Sequence, residues 1–128
     1  MLAVVIHGAH DLRVDQVEPQ PLGRSEAEIA VTLGGICGSD LSYYLKGAVG
    51  DFRVRSPMVL GHEVVGVVTA VGADADPHLI GERVVVNPSQ PCGRCRACLA
   101  GKPNICASPL FLGSAARSRS EEHTCELQ

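Results

Sequence analysis

Four of the six cysteines of this 128-residue chain lie within one short segment, residues 91–106, which reads PCGRCRACLAGKPNIC. Cys92, Cys95, Cys98 and Cys106 follow the spacing C-x2-C-x2-C-x7-C. Each C-x2-C step brings two thiolates to one metal ion, and the longer loop returns the fourth. Four thiolates around one ion form the closed tetrahedron of a structural zinc site, which has no open position for water. An iron–sulfur cluster and a pair of disulfides are the alternatives.

A second group of potential ligands lies upstream, in two glycine-rich turns. Cys37 stands in GGICGSD, and His62 and Glu63 stand in GHE. One thiolate, one imidazole and one carboxylate form a three-ligand zinc shell, whose open fourth position is typical of catalytic sites. Asp40 could hold the other nitrogen of His62, and Ser39 could pass a proton between substrate and solvent. A lone buried Cys or a lone turn His is usually not a ligand, but the second metal motif favours the ligand interpretation here.

Composition places the chain among globular proteins and argues against several kinds of partner. Apolar residues make up 45% and charged residues 20% of the chain, with a net charge of −3. This balance is typical of a folded domain, and it provides no basic surface for nucleic acid or an anionic membrane. The N-terminus MLAVVIHGAH lacks the features of a signal peptide, and no apolar run approaches a membrane span. We therefore expect a cytoplasmic protein with no nucleic-acid or membrane partner, in which metal binding is favoured over disulfides.

The elements that must position these residues are short strands separated by Gly and Pro turns. Apolar runs rich in Val and Ile predict strands at Ala3–His7, Arg13–Val17, Glu28–Leu33, Val64–Val71 and Arg83–Val86. One short helix is predicted over Ser39–Lys46, with Ser39 or Asp40 as its N-cap and Gly47 at its end. With only two Tyr and two Phe, the core should consist mostly of Val, Leu, Ile and Ala. Many short strands and no long helix favour a mainly β fold, a partly closed barrel or a sandwich.

Two segments together resemble the zinc-dependent alcohol dehydrogenases of the medium-chain dehydrogenase/reductase superfamily. They are GHEVVGVVTAVG, residues 61–72, and the cysteine segment 91–106. Residues 34–63 are similar to the polyol and sugar-acid branch of that family. Within that branch, NPSQPCGRC followed by FLGSA is similar to the L-idonate 5-dehydrogenases. The resemblance covers residues 1–117 and implies the family's GroES-like catalytic domain, a partly closed barrel with a zinc-binding lobe.

The resemblance also implies a role for each candidate residue. Cys37 and His62 match the first two ligands of a catalytic zinc, and Glu63 matches the neighbouring carboxylate that can approach the metal. Ser39 matches the hydroxyl that relays the substrate proton, and Asp40 the carboxylate behind the imidazole. The four spaced cysteines match the ligands of a second, structural zinc: Cys92, Cys95, Cys98 and Cys106.

The family's activity requires parts that this sequence does not contain. Its members oxidise a secondary alcohol of a polyol or sugar acid and transfer the hydride to NAD or NADP, which a Rossmann domain binds. This sequence has no G-x-G-x-x-G and no third protein ligand for the catalytic zinc, which is usually a later Glu or Cys. Ser42 replaces the usual His of the branch, and Tyr44 stands where the branch often has an aromatic residue near the substrate. We therefore expect an inactive N-terminal fragment of an enzyme that forms homo-oligomers.

The composition changes at Ser118. Residues 118–128, SRSEEHTCELQ, are polar, and residues 119–128 resemble a DNA-sequencing adapter translated in frame, with Cys125 in place of a Ser. A natural disordered tail is the alternative. We expect residues 1–117 to form the truncated catalytic domain and residues 118–128 to be a non-native or disordered tail.

Two other functions remain open from the residues alone. A zinc deaminase would use PCGRC as half of its H-x-E…P-C-x-x-C signature, but His62 and Glu63 are adjacent and neither lies on a predicted helix. A stand-alone zinc-stabilised β module that binds a partner would explain the cysteine motif, but it leaves the GGICGSD and GHE turns as a coincidence.

Overall fold

The computed structural model describes residues 1–115 and the backbone of residues 124–126. Strands predominate, as the sequence predicts. They are β1 (Leu2–Gly8), β2 (Asp11–Gln16), β3 (Glu26–Gly34), β4 (Ala48–Val49), β5 (Phe52–Arg53), β6 (Met58–Val59), β7 (Val64–Val71), β8 (Arg83–Val85), β9 (Ser89–Gln90), β10 (Leu110–Phe111) and β11 (Thr124–Glu126). The helices are α1 (Gly38–Lys46), α2 (Arg96–Leu99) and single 3-10 turns at Pro77–Leu79 and Pro103–Ile105. Among the described residues, no helix is long and apolar enough to cross a membrane.

Two antiparallel sheets form most of the fold. One has the strand order β2-β1-β6, and the other has the order β11-β3-β7-β8. Two small pairs, β4 with β5 and β9 with β10, lie outside them. The mainly β prediction is confirmed, and within the described residues the strands form separate sheets without closing into a ring.

Each main sheet covers its own apolar cluster. The first cluster is formed by Ile6, Tyr43 and Met58, and the second by Ala27, Ile29 and Val68. Tyr43 from α1 is 2% exposed and is among the largest fully buried side chains. The core is therefore not purely aliphatic, because α1 contributes an aromatic ring to the first cluster.

The five predicted strands are all present, with ends that differ from the prediction by no more than two residues. The helix is also confirmed, and Gly47 ends it in the left-handed conformation. Its predicted N-cap is wrong, because Cys37 is the cap rather than Ser39 or Asp40. The Sγ of Cys37 accepts a hydrogen bond from the Ser39 N–H, and Asp40 Oδ2 accepts one from the Cys37 N–H. This is a capping box in which a thiol replaces the usual hydroxyl.

The predicted tail, residues 118–128, lies mostly outside the described residues. The backbone of Thr124–Glu126 is described, and it pairs antiparallel with β3 at Glu26–Glu28. The sequence does not predict this strand. The non-native origin of the tail stays a prediction.

The pairing of β3 with β7 positions the upstream candidate residues. The two strands are antiparallel, so that the last residue of β3, Gly34, pairs with the first residue of β7, Val64. Cys37 follows the end of β3, and His62 precedes the start of β7. Since one strand ends where its antiparallel neighbour begins, both residues lie at the same end of the sheet.

Candidate metal centres

The turn after β3 and the turn before β7 bring Cys37 and His62 into contact. The Sγ of Cys37 lies 3.1 Å from Nε2 of His62. Ligand bonds of about 2.3 Å to sulfur and 2.0 Å to nitrogen around a tetrahedral zinc separate two such atoms by about 3.5 Å. The observed separation is close to this value, so the two side chains fit a shared ion.

Asp40 connects the start of α1 to the imidazole. It is 5% exposed, and its Oδ1 lies 3.7 Å from Nδ1 of His62. Both of these atoms are buried and lack a hydrogen-bond partner within the described part of the chain. A small rotation of the ring would join them, which would place the proton on Nδ1 and leave Nε2 free to bind a metal. The two unpartnered atoms therefore fit a site in which Nε2 is a ligand.

Ser39 brings a hydroxyl group into the same cluster from the first turn of α1. Its Oγ lies 2.8 Å from the Sγ of Cys37 and 3.5 Å from Nε2 of His62. The hydroxyl is therefore next to any group that occupies the space between the thiol and the imidazole. Its side chain is half-buried, which leaves a route to solvent.

Glu63 lies apart from this cluster. Its side chain is exposed and covers Gly35, where an added Cβ would overlap with the carboxylate. The ligand atoms that lie within 4.8 Å of one another belong to Cys37, Asp40 and His62. Asp40 rather than Glu63 is therefore the acid closest to the thiol and the imidazole, and the role of Glu63 as a ligand stays a prediction.

The four spaced cysteines converge in a lobe built around α2. Their sulfur atoms all lie within 4.8 Å of one another, with 3.5 Å between Cys95 and Cys98 and 3.9 Å between Cys95 and Cys106. Sulfurs at about 2.3 Å from a tetrahedral zinc are about 3.8 Å apart. Backbone N–H groups also point at the sulfurs, as from Cys92 to Cys106 Sγ at 3.2 Å. Four soft donors at these distances fit a closed zinc site.

The thiols of this lobe differ in acidity. Hydrogen bonds from the backbone N–H groups of Ala107 and Cys98 lower the pKa of Cys95 to about 6. Burial raises the pKa of Cys98 to about 12. At neutral pH the lobe therefore offers a thiolate at Cys95, while the proton on Cys98 must leave when a metal binds.

Residues 111–115, which we call the strap, pack against His62. The ring of Phe111 meets the imidazole edge to face, with 5.5 Å between the ring centroids. Gly113 has a φ of +65°, and a Cβ there would overlap with the carbonyl oxygen of Gly61 and lie 3.3 Å from the His62 Cβ. In the sequence, the strap stands out only as the FLGSA segment of the family resemblance. Its contact with His62 depends on tertiary packing, for which the sequence contains no signal.

Tyr43 holds the end of the strap. Its hydroxyl oxygen accepts a hydrogen bond from the Ala115 N–H at 3.0 Å and lies 3.0 Å from the Ser114 Oγ. The neighbouring Tyr44 packs its ring edge-on against His10, at a centroid distance of 5.3 Å. Of the two aromatic residues of α1, Tyr43 is therefore the one that the strap links to the His62 cluster.

Comparison with known proteins identifies the family. The sequence profile of the alcohol dehydrogenase GroES-like domain matches residues 23–124. The chain belongs to this family. The resemblance to the polyol and sugar-acid branch is confirmed as well, because the similar proteins include dehydrogenases of that branch.

Three relatives of this GroES-like domain show how far the likeness extends. Sorbitol dehydrogenase from Bacillus subtilis is 40% identical over 114 residues, which are 89% of this chain and 32% of the relative. L-idonate 5-dehydrogenase (NAD(P)(+)) from Escherichia coli is 48% identical over 87 residues, 68% of this chain and 25% of the relative. The crystal structure of L-idonate 5-dehydrogenase from Escherichia coli superposes with a TM-score of 0.77 and 37% identity, covering 97% of this chain and 36% of that one. The GroES-like domain described here thus spans about a third of the length of its relatives.

Proposed function

We propose that this GroES-like domain is the catalytic-domain portion of a zinc-dependent, NAD(P)-linked dehydrogenase that oxidises a secondary alcohol of a polyol or sugar acid. The observation that carries the proposal is the convergence of Cys37 Sγ, Ser39 Oγ and His62 Nε2 within 3.5 Å of one another. Sorbitol and L-idonate dehydrogenases among the relatives support the substrate class.

Two zinc ions fit the donor groups of the described residues. Cys37 and His62 would hold a catalytic zinc, and the four spaced cysteines would hold a structural one. At the first site, a bound zinc supplies Lewis acidity to a substrate hydroxyl. Asp40 orients the imidazole through Nδ1, and its second oxygen fixes the turn that carries Cys37.

Ser39 provides the route for the substrate proton. Its Oγ lies beside both Cys37 and His62, where it can accept a proton from a bound hydroxyl and donate its own outward. Ser42 stands one helical turn further along α1 and is half-buried. Residues three apart share one helix face, so Ser42 can continue the route towards solvent in place of the usual His.

The hydride acceptor would be NAD or NADP, held by a part of the parent protein that this chain does not include. Binding of a dinucleotide pyrophosphate needs a strand, a glycine-rich loop and a helix in succession. Outside the two metal motifs, the described residues contain no such unit, and the relatives are about three times as long. We propose that the parent enzyme is a cytoplasmic homo-oligomer.

Turnover by two proteins tests this proposal. The 128-residue chain, mixed with NAD or NADP and with L-idonate, sorbitol or xylitol, should yield no reduced cofactor above background. The full-length protein encoded by the parent gene should reduce the cofactor with at least one of these substrates. A full-length protein that oxidises none of them would contradict the dehydrogenase assignment. Turnover by the short chain would contradict its expected inactivity and would require a cofactor site within it.

A further inference from the structure

A pocket of about 330 Å³ opens beside the first core cluster. Its lining includes Met58, which is 4% exposed and belongs to that cluster, and Ala115 of the strap. Its polar lining includes Arg53, Arg55 and Ser56. The lining is therefore mainly polar, with several hydrogen-bond donors beside a few apolar side chains.

Arg53 ends β5, Arg55 follows two residues later, and both line the pocket. Val54 lies between them and packs against the first core cluster. In an extended segment alternate side chains point to opposite faces, so Arg53 and Arg55 both project away from the core. Neither forms an ion pair within the described part of the chain, whereas Arg13 and Arg24 are paired with aspartates.

The pocket is connected to the Cys37–His62 cluster through the strap. Ala115 lines the pocket and donates its N–H to the hydroxyl of Tyr43. Gly113, two residues earlier, packs against Gly61 and His62. The strap therefore borders the pocket at Ala115 and the imidazole at Gly113.

Resting on the proposed function, we infer that Arg53 and Arg55 bind the anionic end group of a substrate whose reacting hydroxyl lies at the Cys37–His62 cluster. The substrate is then a sugar acid or a sugar phosphate rather than a neutral polyol. Guanidinium groups suit this role because each presents a rigid fork of N–H donors that matches carboxylate and phosphate oxygens. Asp51 also borders the pocket, so the three charged side chains leave one net positive charge for the anion.

Binding to the 128-residue chain tests this inference without any need for hydride transfer. Backbone amide NMR spectra would be recorded while L-idonate, inorganic phosphate or sorbitol is added. We expect L-idonate to shift the signals of residues 51–56, Met58 and Ala115. The double variant Arg53→Gln/Arg55→Gln should bind L-idonate about tenfold more weakly, with no change for sorbitol. The matched control is Arg83→Gln, since Arg83 is an exposed arginine on β8 that does not line the pocket.

The titrations distinguish a carboxylate from a phosphate end group, and they also show whether the two arginines bind an anion at all. If inorganic phosphate binds the double variant more weakly than the unchanged chain, and L-idonate binds neither of the two, the end group is a phosphate. Unchanged affinity for both anions in the double variant, or an equal loss in the control, overturns the inference. In the full-length enzyme, the double variant should raise KM for the anionic substrate and leave kcat unchanged, because the contact is equal in ground and transition states. A full-length protein without any turnover would defeat the proposed function, while the titration would still report on the pocket.

Discussion

Replacing Gly113 by Ala should disturb the Cys37–His62 cluster without touching any potential ligand. Gly113 has a φ of +65°, a backbone conformation that costs a residue with a Cβ about 1–2 kcal/mol. The new Cβ would also overlap with the Gly61 carbonyl oxygen and press on the His62 Cβ. These neighbours are backbone and the root of a side chain, so the strap itself must shift, at a further cost of about 1–3 kcal/mol. We expect a total loss of about 2–5 kcal/mol in the free energy of unfolding.

Gly50→Ala is the matched control for this variant. Gly50 has a similar φ of +57°, and a Cβ there would have no heavy atom within 4 Å. It should therefore lose only the backbone contribution of about 1–2 kcal/mol. The difference between the two variants isolates the close approach of the strap to His62.

Urea unfolding of the zinc-loaded chain measures both losses, and NMR signals of the His62 ring nitrogens report on the cluster. Gly113→Ala should be the less stable variant, and it alone should shift the His62 signals. Equal losses of stability in the two variants, with His62 signals unchanged in both, would show that the strap does not position the imidazole.

Two further predictions concern the metals. Cys95→Ser should remove zinc from the cysteine lobe and lower the melting temperature, because metal binding at a structural site contributes folding free energy. Cys37→Ser should keep that zinc. Equal metal loss in both variants would contradict the separation into two sites. The purified 128-residue chain should contain close to one zinc per chain by elemental analysis, since Cys37 and His62 provide fewer ligands than the four thiolates. Two equivalents that survive dialysis against a weak chelator would contradict this expectation.

The strands that carry the candidate site could be predicted because their residues are strongly patterned. Val64–Val71 is a run of Val and small residues, and the structure has β7 with the same bounds. Strands β4, β5, β6, β9 and β10 have two residues each. They escape prediction because two residues cannot show a period, and their pairing depends on tertiary contacts.

The start of α1 shows a different limit. Preferences at helix N-caps favour Ser and Asp, so the pattern points to Ser39 or Asp40. Cys37 takes the cap because its sulfur accepts a hydrogen bond from the Ser39 N–H, while the Asp40 carboxylate accepts one from the Cys37 N–H. Cys37 is therefore both a potential metal ligand and the N-cap of α1, and only the first of these roles could be predicted from its residue type.

The two tyrosines of α1 could not be distinguished from the sequence alone. Neighbouring residues on a helix point about 100° apart, so only one of them can face the core. The structure buries Tyr43 and leaves Tyr44 partly exposed against His10. The helix is too short for its apolar pattern to indicate which face is buried, and the partners of Tyr43 lie about seventy residues away along the chain.

We infer that His62 is a ligand of a catalytic zinc that is separate from the cysteine lobe. Its most direct test is His62→Ala in the full-length protein, with zinc content and cofactor reduction measured on the same sample. We expect turnover to fall to background while one zinc per chain remains in the lobe. Normal turnover in this variant would contradict the assignment of His62, and loss of all zinc would contradict the independence of the two sites.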